Sequence, residues 1–262
     1  MKSMKLRLFM LVLACGIGQL CQAQHAYFPL EGSIEFDKTV HVKNLLKRHL
    51  TTLKDDNFSK TYFEELLSKV KETAVLKKKL SFRGPEVYME SVPAEYDPII
   101  NNLLRSGLLD YQGSMYQDVE KAVSRLSLEI GGSHMYIQDS IMPVKWKITN
   151  EYREIAGYSC RRANGVVLDS VYVVAFYTDQ IPTSAGPGTV HGLPGMILGL
   201  VVPEQHYNIY ATKVDFSPPT IRAELGKKKD KPMTRKEAQE RMKSLMGTWM
   251  TEQQLNLLLA AI

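Results

Sequence analysis

Cysteine is scarce in this 262-residue chain: there are three. Two of them, Cys15 and Cys21, fall in the first 23 residues, which read as a leader rather than as fold. Lys2, Lys5 and Arg7 precede the apolar run from Leu8 to Ala14. Cys21-Gln22-Ala23 then places small side chains at −3 and −1, predicting cleavage after Ala23 and a mature chain from Gln24. A second reading takes Val12-Leu13-Ala14-Cys15 as a lipobox, with an acylated Cys15. Cleavage after Ala23 leaves Cys160 alone, so that mature chain has no internal disulfide; export without bridges implies a core large enough to hold without staples.

Long apolar runs are also missing. After the leader nothing approaches the ~18 residues of a membrane-spanning helix. Charge excess is small, because removing Lys2, Lys5 and Arg7 leaves 30 basic against 28 acidic side chains, a net charge of +2. That balance gives no reason to expect nucleic acid as a partner, and the basic run from Lys227 to Pro232 reads as a solvated loop.

What is present is β-rich. From Met115 to Phe216 short strands follow one another with turns too short for helical crossovers, so the strands run antiparallel. Val144, Trp146 and Ile148 alternate with Lys145, Lys147 and Thr149, and Val171–Tyr177 is apolar on both faces. The segments 134–139, 144–149, 151–163, 166–178, 196–202 and 206–216 are predicted strands. Asn164-Gly165 carries the strongest hairpin signal among them. Further strands are expected at 32–42 and on either side of Gly84-Pro85.

Helices flank this core. Phe58, Tyr62, Phe63, Leu66, Leu67 and Val70 predict an amphipathic helix near 57–74, with Thr61 and Glu64 at capping-box spacing. Ala238, Met242, Leu245 and Trp249 form a second stripe between Thr234/Glu237 and Thr251/Gln254, two further capping-box pairs. The resulting expectation is one α+β domain over 24–262: a curved, half-barrel-like antiparallel sheet packed by an N-terminal helix and by a C-terminal helical annex at 233–262.

The most distinctive stretch is SAGPGTVHGLPGMILGL, residues 184–200. It is not a phosphate cradle, since His191 stands where a dinucleotide fingerprint needs its third glycine and no Gly-Lys-Ser/Thr occurs. Gly157-Tyr158-Ser159 lacks the closing glycine of a nucleophile elbow. Pro194 and Gly195 suit positions i+1 and i+2 of a type II turn, making Gly192, Pro194 and Gly195 a structural turn that feeds a buried strand. Trp146, Tyr177, His191 and Leu193 are candidate ligand-binding residues on or beside this loop. No catalytic set is assembled by spacing, the six histidines show no metal-ligand spacing, and no cofactor is expected. Cys160, although followed by Arg161 and Arg162, reads as a buried strand residue.

Four blocks taken together carry a resemblance: Glu154-Ile-Ala-Gly-Tyr-Ser-Cys160-Arg-Arg-Ala163, Ala175-Phe-Tyr-Thr-Asp-Gln-Ile-Pro182, Gly186-Pro187 and Gly192-Leu-Pro-Gly-Met-Ile197. In order and content they resemble the GLPGLI family of exported Bacteroidetes proteins, over roughly residues 137–203. Met196 and Phe176 depart from its usual pattern. The resemblance implies a periplasmic or outer-membrane-associated envelope protein, often encoded near outer-membrane receptors, with no established activity. Two function classes follow. One is a non-enzymatic binding or accessory protein for an apolar ligand, a peptide or a receptor; the other is a hydrolase or protease-like enzyme whose site is assembled only by the fold.

Overall fold

The computed structural model describes residues 28–52, 57–110, 112–130, 132–168, 171–226, 230–246 and 252–259. The chain opens with strand β1 (Glu31–Val40), helices α1 (Val42–Thr52) and α2 (Asn57–Lys69), and the hairpin β2 (Ala74–Arg83) and β3 (Glu86–Ser91). Helix α3 (Pro98–Arg105) precedes β4 (Gln112–Asp118), β5 (Val123–Ile130), β6 (Ser133–Ser140), β7 (Lys145–Ile155), β8 (Tyr158–Val167) and β9 (Val171–Thr178). After a long connection come β10 (Met196–Val202) and β11 (Tyr207–Asp215), then α4 (Arg235–Met246) and α5 (Glu252–Leu259).

All eleven strands form one antiparallel sheet in the order β6-β5-β4-β3-β2-β1-β11-β10-β9-β8-β7. The sheet is curved and open, since β6 and β7 do not pair with each other, and the fold is α+β as the residue pattern implies. It is wider than the predicted meander: β1 closes the gap between the N-terminal hairpin and the C-terminal β11, joining two runs of consecutive strands into one surface.

Local chemistry explains most junctions. Gly84 takes a φ of 54° in the two-residue link between Arg83 and Glu86, so Gly84-Pro85 turns the β2–β3 hairpin. Asn164-Gly165, by contrast, is no turn, and β8 runs straight through it. The hairpin there is made by Ala156 and Gly157, at φ 49° and 83°, between the paired residues Ile155 and Tyr158. Gly165 serves close approach instead: a Cβ on it would lie 2.5 Å from Cζ3 of Trp146, its partner on β7.

Helix α2 ends at Lys69, short of the predicted residue 74, and begins at Asn57, so Thr61 lies within it and does not cap it. Helix α1 is an additional element, held by buried Val42, Leu46 and His49; the His49 and Phe63 rings meet edge to face at 4.6 Å. Before α4, Thr234 and Glu237 form a reciprocal capping box, Thr234 N–H donating to Glu237 Oε2 and Glu237 N–H to Thr234 Oγ1. Ala238 and Met242 of the C-terminal stripe are buried, while Trp249, Thr251 and the side chain of Leu245 lie outside the described residues.

Residues 217–226 and 230–233 lie along the outer face of one half of the sheet. Arg83 donates to the Pro219 carbonyl, Arg125 to that of Ala223, and Met233 bridges Ile137 on the β6 edge. Beneath them Tyr88, Tyr116 and Tyr136 are buried.

Candidate functional site

Residues 179–195, linking β9 to β10, do not run over the protein surface but fold into it. Ala185 to Val190 are all buried, an unusual state for a connection with no regular hydrogen-bond ladder of its own. Partners across the sheet meet the polar demand. Thr183 Oγ1 donates to the Gly84 carbonyl, Gln117 Nε2 to that of Thr189, and the Gly188 N–H points at Met89 Sδ. At the other end Trp146 Nε1 donates to the His191 carbonyl at 2.8 Å, and the Gly192 N–H to Ser184 Oγ. The loop thus reaches from β7 to β3 and β4 and fills the inside of the half-barrel.

Its glycines are fitted to that role. A Cβ on Gly186 would lie 2.6 Å from Cβ of Ile197. One on Gly195, at φ 144°, would lie 2.1 Å from the Thr178 carbonyl oxygen. The turn at Pro194 is tighter than a type II turn: the Gly195 N–H donates to the Leu193 carbonyl across three residues. The Met196 N–H, which a type II turn would need, donates instead to Ile181.

The candidate ligand residues are therefore packed with the loop. Tyr177 and Leu193 are buried, Trp146 is half-buried against Gly165, and His191 touches Trp146 through its backbone. Burial pushes the His191 imidazole below its ordinary value, partly offset by the Thr189 backbone. Cys160 is buried, and its thiol is pushed up to about 12 by burial, with Glu154 adding to the shift.

A different site lies on the other half of the sheet. Phe36, Lys38 and Val40 share one face of β1, and Leu76, Lys78 and Leu80 share the same face of β2, with Phe36 opposite Lys78 and Lys38 opposite Leu76. Two lysines are thereby turned into an apolar interior. Asp110, just beyond α3, meets both, with its Oδ1 3.0 Å from Lys38 Nζ and its Oδ2 2.5 Å from Lys78 Nζ. All three side chains are less than 10% exposed, and the Tyr207 ring lies 3.9 Å from Lys38 Nζ. Burial draws the Lys38 ammonium below the usual lysine value, opposed by Asp110. Burial alone would raise the Asp110 carboxyl, but Lys38 and Lys78 outweigh it and hold it below the usual carboxylate range.

Lys78 and Asp110 of this cluster line a cavity of about 300 Å³ between β2, the end of β3, the segment 92–96 and α3; Lys38 lies behind them. Leu76, Val92, Pro93, Tyr96 and Leu104 give it apolar walls, while Lys78, Ser91, Asn101 and Asp110 supply polar atoms. Lys78 Nζ donates to Ser91 Oγ at 2.8 Å, so the Ser91 hydroxyl proton is directed elsewhere. Asn101 Nδ2 uses one proton on the Tyr96 carbonyl. Asp97 caps α3 by accepting from the Ile100 N–H, which fixes this wall. The lysines do leave a signature in the sequence: each is a charge in the apolar phase of an alternating strand. Asp110 leaves none, because only the fold brings it over the sheet.

One further constellation is assembled by the fold. Ser127 Oγ lies 2.9 Å from His134 Nε2, and His134 Nδ1 lies 3.4 Å from Asp230 Oδ2. Among the described residues no group of three or more His, Cys, Asp or Glu side chains is placed to hold a metal ion. Nor is any described helix long and apolar enough to cross a membrane.

Residues 165–199, from the glycine beneath Trp146 through the loop into β10, match a family described as "Protein of unknown function (Porph_ging)". No curated protein matches the chain. Two structures of PNGF-II, in space groups P21 and C2, are similar to it at 12% and 13% identity, with TM-scores of 0.48 and 0.44. They align with 78% and 74% of this chain, which spans only 32% and 28% of theirs.

Proposed function

We propose that the chain is an exported envelope protein of the GLPGLI type that acts by binding, with its ligand held in the cavity above Lys78 and Asp110. The observation that carries this reading is the pairing of an open cavity of about 300 Å³ with buried charged groups on its floor. Buried charge costs several kcal/mol per ion unless it is well matched, so its placement beside an opening favours a ligand over simple scaffolding. On this reading Trp146, Tyr177, His191 and Leu193 fix the loop that fills the half-barrel and do not meet the ligand. The leader ending at Ala23 supports a periplasmic or outer-membrane-associated location.

Affinity capture from the native envelope, with mass spectrometry of small molecules and proteins, tests it. Ala94, exposed at the cavity rim, is replaced by tryptophan in a parallel sample. A small molecule retained by the wild type and lost from Ala94→Trp is the expected result. Equal recovery of that molecule by both proteins, or a receptor recovered with no small molecule, overturns it.

A hydrolase is the second reading, favoured by the order Ser127, His134, Asp230, which is that of nucleophile, base and orienting carboxylate. Its weakness is local. Ser127 sits mid-strand, paired with Ser114 on β4 and Tyr136 on β6, so its own amide belongs to the sheet and is not an oxyanion donor. Covalent labelling of Ser127 by a fluorophosphonate, abolished in His134→Ala, would establish this reading; an unlabelled protein rejects it.

A further inference from the structure

The charges that line the cavity are matched within the protein. Asp110 Oδ2 meets Lys78 Nζ, and that lysine also donates to Ser91 Oγ, so both charges have partners before any ligand enters. An anion in the cavity would be attracted by Lys78 and repelled by Asp110, and a cation would meet the reverse. Either ion would also give up water to enter a space walled by Leu76, Val92, Pro93 and Leu104. A neutral ligand avoids both penalties. What remains for it is hydrogen bonding on two separate walls. At the end of β3, Ser91 Oγ accepts from Lys78, which directs its own proton away from that lysine. On α3, Asn101 Nδ2 donates to the Tyr96 carbonyl, which fixes the carboxamide and leaves Oδ1 on its other side. Among the described residues neither the Ser91 hydroxyl proton nor Asn101 Oδ1 has a protein partner.

We propose that the cavity takes a small neutral carboxamide, its carbonyl accepting from the Ser91 hydroxyl, its N–H donating to Asn101 Oδ1 and its apolar body lying against Leu76, Val92 and Tyr96. The inference rests on the cavity reading above. A carboxamide carries its acceptor and its donor on different atoms, which suits a donor on β3 and an acceptor on α3; a single hydroxyl would have to lie between them. The enclosed, largely apolar setting strengthens such bonds relative to water. A volume of about 300 Å³ is at the small end of the ~300–1,000 Å³ range of small-molecule sites, too small for a long lipid chain.

Isothermal titration calorimetry of the purified protein with 4-methylpentanamide, 4-methylpentanoate, 4-methylpentylamine and the ketone 5-methylhexan-2-one tests the proposal. The amide is expected to bind at least ~10-fold more tightly than the carboxylate or the ammonium, a difference of about 1.4 kcal/mol. The ketone has the shape of the amide without its N–H and is expected to bind roughly 3–10-fold more weakly, a comparison that needs no variant. Ser91→Ala removes the donor to the ligand carbonyl and should weaken amide binding by a similar factor. Lys78 keeps Asp110 in that variant, so a retained melting transition shows that the loss is not unfolding. Carboxylate or ammonium binding as tight as that of the amide, and lost in Ala94→Trp, overturns neutral selection while leaving the cavity as the site. Ketone affinity equal to that of the amide, or a folded Ser91→Ala that binds the amide undiminished, overturns carboxamide recognition. Amide binding unchanged in Ala94→Trp overturns the cavity reading itself, and no binding of any probe overturns the proposal.

Discussion

The two halves of the sheet bury polar chemistry in opposite ways. Over β7–β10, the glycine-rich connection brings backbone groups inside and finds partners for them on distant strands, from Trp146 to Gln117. Over β1–β3, ordinary strands bring two ammonium groups inside and leave an opening beside them. The first region is unusual in sequence and closed in structure; the second is plain in sequence and open. Conspicuous glycine and proline can mark close packing rather than chemistry, because close packing is what needs residues without a Cβ or with a fixed φ.

The comparison breaks most severely at Asp110. Asp110→Asn removes the carboxylate that meets both buried lysines, Lys38 and Lys78, and should cost about 3–5 kcal/mol, measured by denaturant unfolding.

On the other half, Gly195→Ala places a methyl group against the Thr178 carbonyl at a φ that alanine disfavours. A loss of about 2–4 kcal/mol is expected, lowering Tm by roughly 4–15 °C in a chain of this size. An unchanged Tm would mean that the loop is not held as described.

Side chains around the loop sharpen the contrast at lower energy. Trp146→Phe removes the donor to the His191 carbonyl and should cost about 0.5–1.5 kcal/mol. His191→Ala keeps that carbonyl and should stay within about 0.5 kcal/mol of wild type. A larger cost at His191 than at Trp146 would assign the imidazole a role of its own.

The smallest effect is a pH dependence. Lys38 has a folded-state pKa below its unfolded one, so between the two values the unfolded chain binds more protons and stability rises with pH. Asp110 acts at the other end: its lowered pKa gives stability above the ordinary carboxylate range that is lost as pH falls through the folded value. The groups facing Lys38 are Asp110, Lys78 and the Tyr207 ring. Lys38→Met should flatten the alkaline rise in stability.

Much of the fold was legible in the residue order. The Gly84-Pro85 link and the Thr234/Glu237 box act within a few residues and do what their chemistry requires, whereas the alternation at 144–149 holds only as far as Lys147, since Ile148 is exposed and Thr149 half-buried at an irregularity in the β7–β8 pairing. Asn164-Gly165 misled because glycine answers two demands, positive φ and closeness, and only the position of Trp146 across the ladder decides between them. The pairing of β1 with β11 joins residues some 180 apart, and short-range periodicity holds no record of it. The cavity floor was half legible: Lys38 and Lys78 break the apolar phase of their strands, but the reason for the break is Asp110, which only the fold places between them.

The central contrast, a closed loop against an open charged cavity, is tested most directly by native-state amide hydrogen exchange, read residue by residue on the ¹⁵N-labelled protein. The account predicts slow exchange through residues 188–190, buried and tied to β3 and β4, and fast exchange at residues 94–95 beside the cavity opening. Exchange through 188–190 as fast as that at 94–95 would contradict it.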